Sequence, residues 1–429
     1  MLATPRIAGN RFLRLGFGMS AAAPQSLGEL AVARCNLFKT PPYSEEEGAL
    51  TRRFLTTAHR AALDALTGWM QEAGMAVRLD AAGTLSGRYE GTGGKTLLIG
   101  SHIDSVRDGG AYDGALGVML GLGVVEELAR QGKRLPFAIE ILAFGDEEGS
   151  RFHASMTGSR FCAGTLQGDP TLLTDQDGTT MGEAMRGFGL DPARLREAAL
   201  RDDVFLYFEP HIEQGPVLEA EDLPVGIVTG IAAQTRLSVT LTGMANHAGT
   251  TPMHLRKDAL AAAAQAILLV ERIAAQAGIV GTVGALNAQP GVGNVIPGGC
   301  VFSVDLRAPL AAARDTAEQD FRAGLAEICA RRGIGHEVTL VQQLAPCLCD
   351  EQAQALLAAA IAAQGLRPFH LASGAGHDAM SMAALCPVSM LFIRCRAGIS
   401  HNPAEHVTAQ DVNAAARVML DFLGRLSGQ

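Results

Sequence analysis

The sequence predicts an α/β protein, a mostly parallel sheet flanked by helices, interrupted by an inserted β-α-β-β-α-β unit. Three observations carry this reading. Between residues 76 and 144, apolar runs of strand length alternate with helical periodicity, the mark of a sheet covered by helices. Near Gly230 the texture changes to strands that alternate polar and apolar residues, as half-buried antiparallel strands do. From Asp350 to the end the first texture returns. At 429 residues and 48% hydrophobic content, the chain can bury cores for two domains.

The elements follow in order. Residues 1–28 contain Arg6, Arg11 and Arg14 and no acidic residue, and are expected to be a flexible leader, with Met19 an alternative start. From Ser26 to about Met75 the pattern is helical. Glu45, Glu46 and Glu47 mark a helix start there, and Leu50, Phe54, Ala58, Ala61, Ala65 and Trp69 keep a three-to-four residue period. Strands are expected at Ala76–Leu79 and 97–99. A helix runs from just after Asp113 through Leu128, and a strand covers 138–144. The inserted unit reads as strand 236–242, helix 258–275, strands 279–286 and 300–306, helix 312–331 and strand 336–341, the order of a ferredoxin-like split β-α-β fold. The expected division is therefore a main domain of 29–230 and 345–429, with 231–344 inserted.

Composition excludes several classes. The net charge is -9 and no Lys/Arg block occurs, which is the wrong footprint for nucleic acid. No apolar run is expected to reach the roughly 20 residues of a membrane-spanning helix. The eight cysteines form no Cys-x-x-Cys pair and read as reduced thiols of a cytoplasmic protein.

The chemistry gathers where apolar runs stop. Gly100-Ser-His-Ile-Asp-Ser105 ends one strand in His102 and Asp104, and a Gly-rich turn lets Asp113 double back to the same point. Asp146-Glu-Glu148 ends another strand in Glu147 and Glu148. The run from Leu206 ends in His211, and Gly398-Ile-Ser-His401 offers His401. Each feature alone has a plain explanation. A lone buried histidine is more often a satisfied core group, and paired glutamates often sit at a helix start. Four strand-end motifs with compatible donors together point to metal held by His102, Asp113, Glu148, His211 and His401. Zinc, manganese or cobalt suits this nitrogen and oxygen set. Asp113 can bridge two ions, Asp104 is expected to fix the tautomer of His102, and Glu147, left unligated, to act as general base. In the inserted unit, His247 could stabilise an oxyanion, and Asn294 with Arg307 could grip a carboxylate.

These motifs stand in the order found in a known family. Gly100–Ser105, Gly109–Gly114, Asp146–Phe152, His211–Glu219, Asn246–Met253, Ser373–Ala379 and Gly398–Pro403 resemble the M20-type metallohydrolases, within them the hydantoinase/carbamoylase branch. The resemblance runs from about Leu30 to the C-terminus. It implies one ion on His102, Asp113 and His211 and a second on Asp113, Glu148 and His401. His211 is the discriminating position, because related peptidases usually present a carboxylate there. Gln214, Arg236, Gly374 and His377 match positions around the substrate, with Asp378 a further polar contact. The resemblance also implies that the inserted domain serves as lid and dimerisation unit of a homodimer, with His247 arriving from the partner subunit. The implied reaction is hydrolysis of the carbamoyl (ureido) amide of an N-carbamoyl-L-amino acid to amino acid, CO2 and ammonia. Allantoate is the alternative substrate, ahead of a β-ureidopropionase or peptidase activity. One departure stands out: where relatives often show Gly-x-Thr-Arg, this chain has Cys35-Asn-Leu-Phe-Lys-Thr-Pro-Pro-Tyr43, which leaves the ligands intact and alters the pocket rim.

Overall fold

The computed structural model describes residues 26–196 and 201–428. Phe137–Phe144, Lys95–His102, Val204–Ile212 and Val388–Ile393 lie side by side and parallel at the centre of the larger sheet. These strands are apolar along most of their length, and Phe137–Phe144 is buried throughout, because helices cover both faces. Antiparallel strands finish the sheet: Leu85–Tyr89 and Ala76–Leu79 on one side, Val225–Ile231 on the other. The central strands all run one way, so their carboxyl ends open on one edge. The chain leaves Lys95–His102 for Phe137–Phe144 on one side and returns on the other with Val204–Ile212. That reversal leaves a crevice at the strand ends, where α/β proteins bind ligands.

The second sheet is antiparallel, in the order Leu286–Gln289, Gly299–Ala308, Ala233–Thr242, Gly335–Leu344. Helices Ala259–Ala277 and Ala311–Arg332 pack on it around a separate core that includes Leu237, Val239, Leu269, Phe302, Phe321 and Leu325. The chain passes from the first sheet to the second between Ile231 and Ala233, and returns at Cys347–Leu348.

Several expectations change. The leader lies outside the described residues as far as residue 25. Ser26 is already structural, since it caps helix Leu27–Phe38 in a capping box with Glu29. The helical reading of 26–75 breaks between Phe38 and Thr57: Pro41 and Pro42 supply no amide donors, and Glu45 pairs with Arg53 instead of starting a helix. Strand Leu85–Tyr89 carries no strand signal in the sequence, because glycine and arginine interrupt its apolar pattern. The strand expected at 279–286 is two pieces, Val280–Thr282 and Leu286–Gln289, along one neighbour. Helix Ala259–Ala277 has the length and apolar character of a membrane span, contrary to expectation. Its Ala262, Ala266, Leu269, Val270 and Ile273 are nevertheless buried in the second core. All eight cysteines are free thiols.

Candidate metal centre

Two parallel strands deliver His102 and His211 at their carboxyl ends, 2% and 1% exposed. Asp113 reaches them from a loop, and what admits it is Gly114. This residue has φ +66, and a Cβ there would lie 2.5 Å from the His102 ring. Asp113 then faces three imidazoles with two different oxygens. Oδ1 lies 3.6 Å from His102 Nε2 and 3.3 Å from His211 Nε2, while Oδ2 lies 3.2 Å from His401 Nε2. His401 Nε2 is also 3.5 Å from Glu148 Oε2. Two donors at about 2.1 Å from one tetrahedral ion lie about 3.4 Å apart, which matches these separations; direct charge-assisted hydrogen bonds are shorter, at about 2.7–2.9 Å. Glu148 Oε1 is buried with no hydrogen-bond partner, as a ligand oxygen would be. The donors thus form two groups, His102–Asp113–His211 and Asp113–Glu148–His401, sharing one carboxylate. Nitrogen and oxygen donors without thiolate suit a divalent metal in a reactive centre.

Electrostatics point the same way. Burial would push Asp113 up, but the imidazoles of His102, His211 and His401 outweigh it and hold the carboxylate well below its usual range. Burial likewise opposes charge on His102, yet Asp113, Glu147 and Asp104 together raise it well above an ordinary histidine. Glu147 is raised by burial and by its neighbour Glu148, and its carboxylate lies in a group with His102 and Glu148 whose donor atoms are all within 4.8 Å of one another. Such a concentration of carboxylates calls for positive charge.

Asp104 acts differently from expectation. Its carboxylate is 3.9 Å from His102 Nδ1, which instead lies 3.1 Å from the Asp104 backbone carbonyl. The carboxylate accepts the backbone N–H groups of Glu147 and Glu148 at 3.1 and 3.3 Å, so it aims the glutamate pair. The sequence spacing His-x-Asp could not reveal this, because the bonded partners are more than 40 residues away.

The remaining expected residues divide. Gln214 donates to Asp113 Oδ2 at 2.9 Å and to Ser400 Oγ at 3.2 Å, so it braces the Asp113 carboxylate. His377 is 1% exposed, packs edge-on against His211 and contacts Ser373 Oγ at 2.8 Å. It supports the His211 ring from behind and, being buried, offers no open contact to a substrate. Asp378 beside it is fully buried too. The Gly374 carbonyl accepts from Arg307 across the two sheets at 2.5 Å. Arg236 and Arg307 both pair with Asp305, on adjacent strands of the second sheet. His247 and Asn294 are exposed, and no bond joins either to the ligand cluster among the described residues. Two short strands hold them together: His247 faces Val295, and Ala248 N–H donates to the Asn294 carbonyl at 3.0 Å. Sequence reasoning missed Ser400 and Glu405, which bond Asp113, and Ser101 with Glu209 beneath His211. The only signal for Ser400 and Glu405 was their closeness to His401.

An α/β sheet carrying such donors at its strand ends is an arrangement that can serve a metal-dependent hydrolase. Residues 98–425 match the peptidase family M20/M25/M40, and the chain belongs to that family. Within it, the chain sides with the hydantoinase/carbamoylase amidases. An amidase of that group from Burkholderia multivorans superposes with a TM-score of 0.86 at 34% identity, covering 93% of this chain and 97% of that one. An N-carbamoyl-L-amino acid amidohydrolase of Geobacillus stearothermophilus is 43% identical over 387 residues, 89% of this chain and 95% of that protein. Allantoate deiminase 1 of Glycine max is 37% identical over 440 residues, 94% of this chain and 90% of that protein.

Proposed function

We propose that the protein hydrolyses the carbamoyl amide of N-carbamoyl-L-amino acids, using two divalent ions per subunit (zinc, manganese or cobalt). The observation that carries this reading is the split of Asp113, one oxygen toward His102 and His211 and the other toward His401. The higher identity to the carbamoylase, 43% against 37% for the allantoate deiminase, supports the substrate.

Ions bound there would polarise the ureido carbonyl and lower the pKa of water. Glu147, aimed by Asp104, takes the proton of the attacking water and passes it to the leaving nitrogen. Water adds to the ureido carbon, the C–N bond to the amino acid breaks, and the resulting carbamate falls to CO2 and ammonia. His247 Nδ1 accepts the Gly249 N–H at 3.0 Å, which leaves the neutral ring's proton on Nε2 as a donor for the developing oxyanion. Asn294 and Arg307 bind the substrate carboxylate. A homodimer is the working form, in which His247 reaches the centre of the partner subunit.

Allantoate, a second ureido acid, is the competing substrate because deiminases acting on it, by their names, cover the chain nearly end to end. The test is ammonia release by manganese-loaded protein offered N-carbamoyl-L-amino acids, allantoate, N-carbamoyl-β-alanine and dipeptides, the last scored by free amine. Turnover of N-carbamoyl-L-amino acids, abolished by chelator, is the expected result. Turnover of allantoate or dipeptides alone would replace the substrate, and silence on all four would sink the reading.

A further inference from the structure

His401 differs from the other two imidazoles in having no strand to hold it. His102 and His211 end buried strands of the central sheet, whereas the His401 side chain is 51% exposed and its residue sits in a loop at φ +54. That is a left-handed conformation unusual for a residue with a Cβ. Something must fix both this loop and the Asp113 oxygen that meets it.

The hydrogen bonds converge on one side chain. Glu405 is 5% exposed, and its Oε1 accepts the backbone N–H groups of Tyr112 at 2.8 Å and Asp113 at 3.1 Å. Its Oε2 lies 3.0 Å from Ser400 Oγ, and the same hydroxyl is 2.8 Å from Asp113 Oδ2. Glu405 N–H donates to the Asn402 carbonyl at 3.0 Å, closing the loop around His401. One carboxylate therefore clasps the backbone beneath Asp113 and the residue just before His401, joining segments nearly 300 residues apart.

We propose that Glu405 is a positioning residue for the ion of the Asp113–Glu148–His401 group, acting through Ser400; this rests on the metal-dependent reading above. Because Ser400 meets Oδ2, the Asp113 oxygen that faces His401, while Oδ1 faces His102 and His211, which the sheet sets, losing Glu405 should weaken one ion far more than the other. A residue that merely stabilised the fold would weaken both or neither.

The test is titration of chelator-stripped protein with Co2+ alone, followed by visible absorption and by heat. Wild type should take up two ions, and His401→Ala identifies which step belongs to that group. Glu405→Ala should lower the affinity of this step by about 10- to 100-fold and leave the other within about threefold. Glu405→Gln should restore it, since an amide oxygen still accepts from Tyr112 and Asp113 while the amide N–H donates to Ser400. Thermal unfolding of the stripped proteins checks the fold. If Glu405→Ala does not fold, Ser400→Ala, which spares both backbone bonds, should show the same one-sided loss. Equal weakening of both steps, or no weakening, overturns the proposal while leaving the metal-dependent reading intact. Wild type that binds no Co2+ overturns the metal-dependent reading itself, and the proposal falls with it.

Discussion

Asp113 could be picked from the sequence as a candidate bridging residue because a Gly-rich turn returns it to the strand end, and in the structure its two oxygens face different imidazoles. Asp104 was legible as part of the site while its bonding was not, since the amides it binds belong to Glu147 and Glu148 in a different loop. We expect Glu147→Gln to lower kcat by at least about 100-fold with metal content unchanged, measured by steady-state kinetics alongside elemental analysis. Survival of turnover within about tenfold would remove Glu147 from the general-base role. His59 offers a test of stability rather than catalysis. It is fully buried between Phe54 and Phe188, and its Nδ1 accepts the Leu55 N–H at 3.2 Å. Burial, with help from Arg52 and Arg60, lowers its pKa from 6.5 to about 3. Between those values the unfolded chain binds a proton that the fold excludes. The stability from the neutral ring is therefore complete above pH 6.5 and lost as pH falls toward 3, by up to about 1.4 kcal/mol per pH unit. Denaturant titrations from pH 7 to 4 should show a flatter acid limb for His59→Gln; parallel curves would refute the assignment.

Among the elements, helix Ala115–Arg130 matters most to the site, because it begins two residues after Asp113. It lies so near the His211 strand that a Cβ on Gly117 would come within 2.1 Å of the Pro210 carbonyl oxygen. Gly117→Ala should therefore cost about 1–3 kcal/mol in denaturant unfolding, and weaken metal binding by shifting His211. Unchanged stability would mean that the helix can slide without cost. The sequence marked this helix well, since it is apolar on nearly every face and starts at a glycine. It marked the stretch between Phe38 and Thr57 badly: apolar spacing there mimics a helix, while Leu50 in fact pairs in extended form with Gly109 beside the site.

At the scale of the whole molecule, two sheets with separate cores meet where Arg307 bonds the Gly374 carbonyl. The candidate ligands all come from the first sheet and its loops, while His247, Asn294 and Arg307 come from the second. The proposed function requires His247, Asn294 and Arg307 to be brought to the candidate ligands, within one chain or between two. We expect light scattering on the purified protein to give twice the chain mass. A monomer that hydrolyses ureido acids at full rate would exclude delivery of His247 by a partner.

The sequence by itself determined the α/β class, the change to an antiparallel texture near Gly230 and the candidate donors at the strand ends. Apolar runs specify buried strands, and parallel strands share the edge on which their last residues lie. Only the tertiary structure decided which atoms meet. It directed Asp104 to the glutamate amides, put His377 behind His211, turned Gln214 toward Asp113 and made Glu405 the clasp of the His401 loop. Each of these contacts joins segments remote in the chain, where spacing and periodicity, which report local geometry, carry no signal.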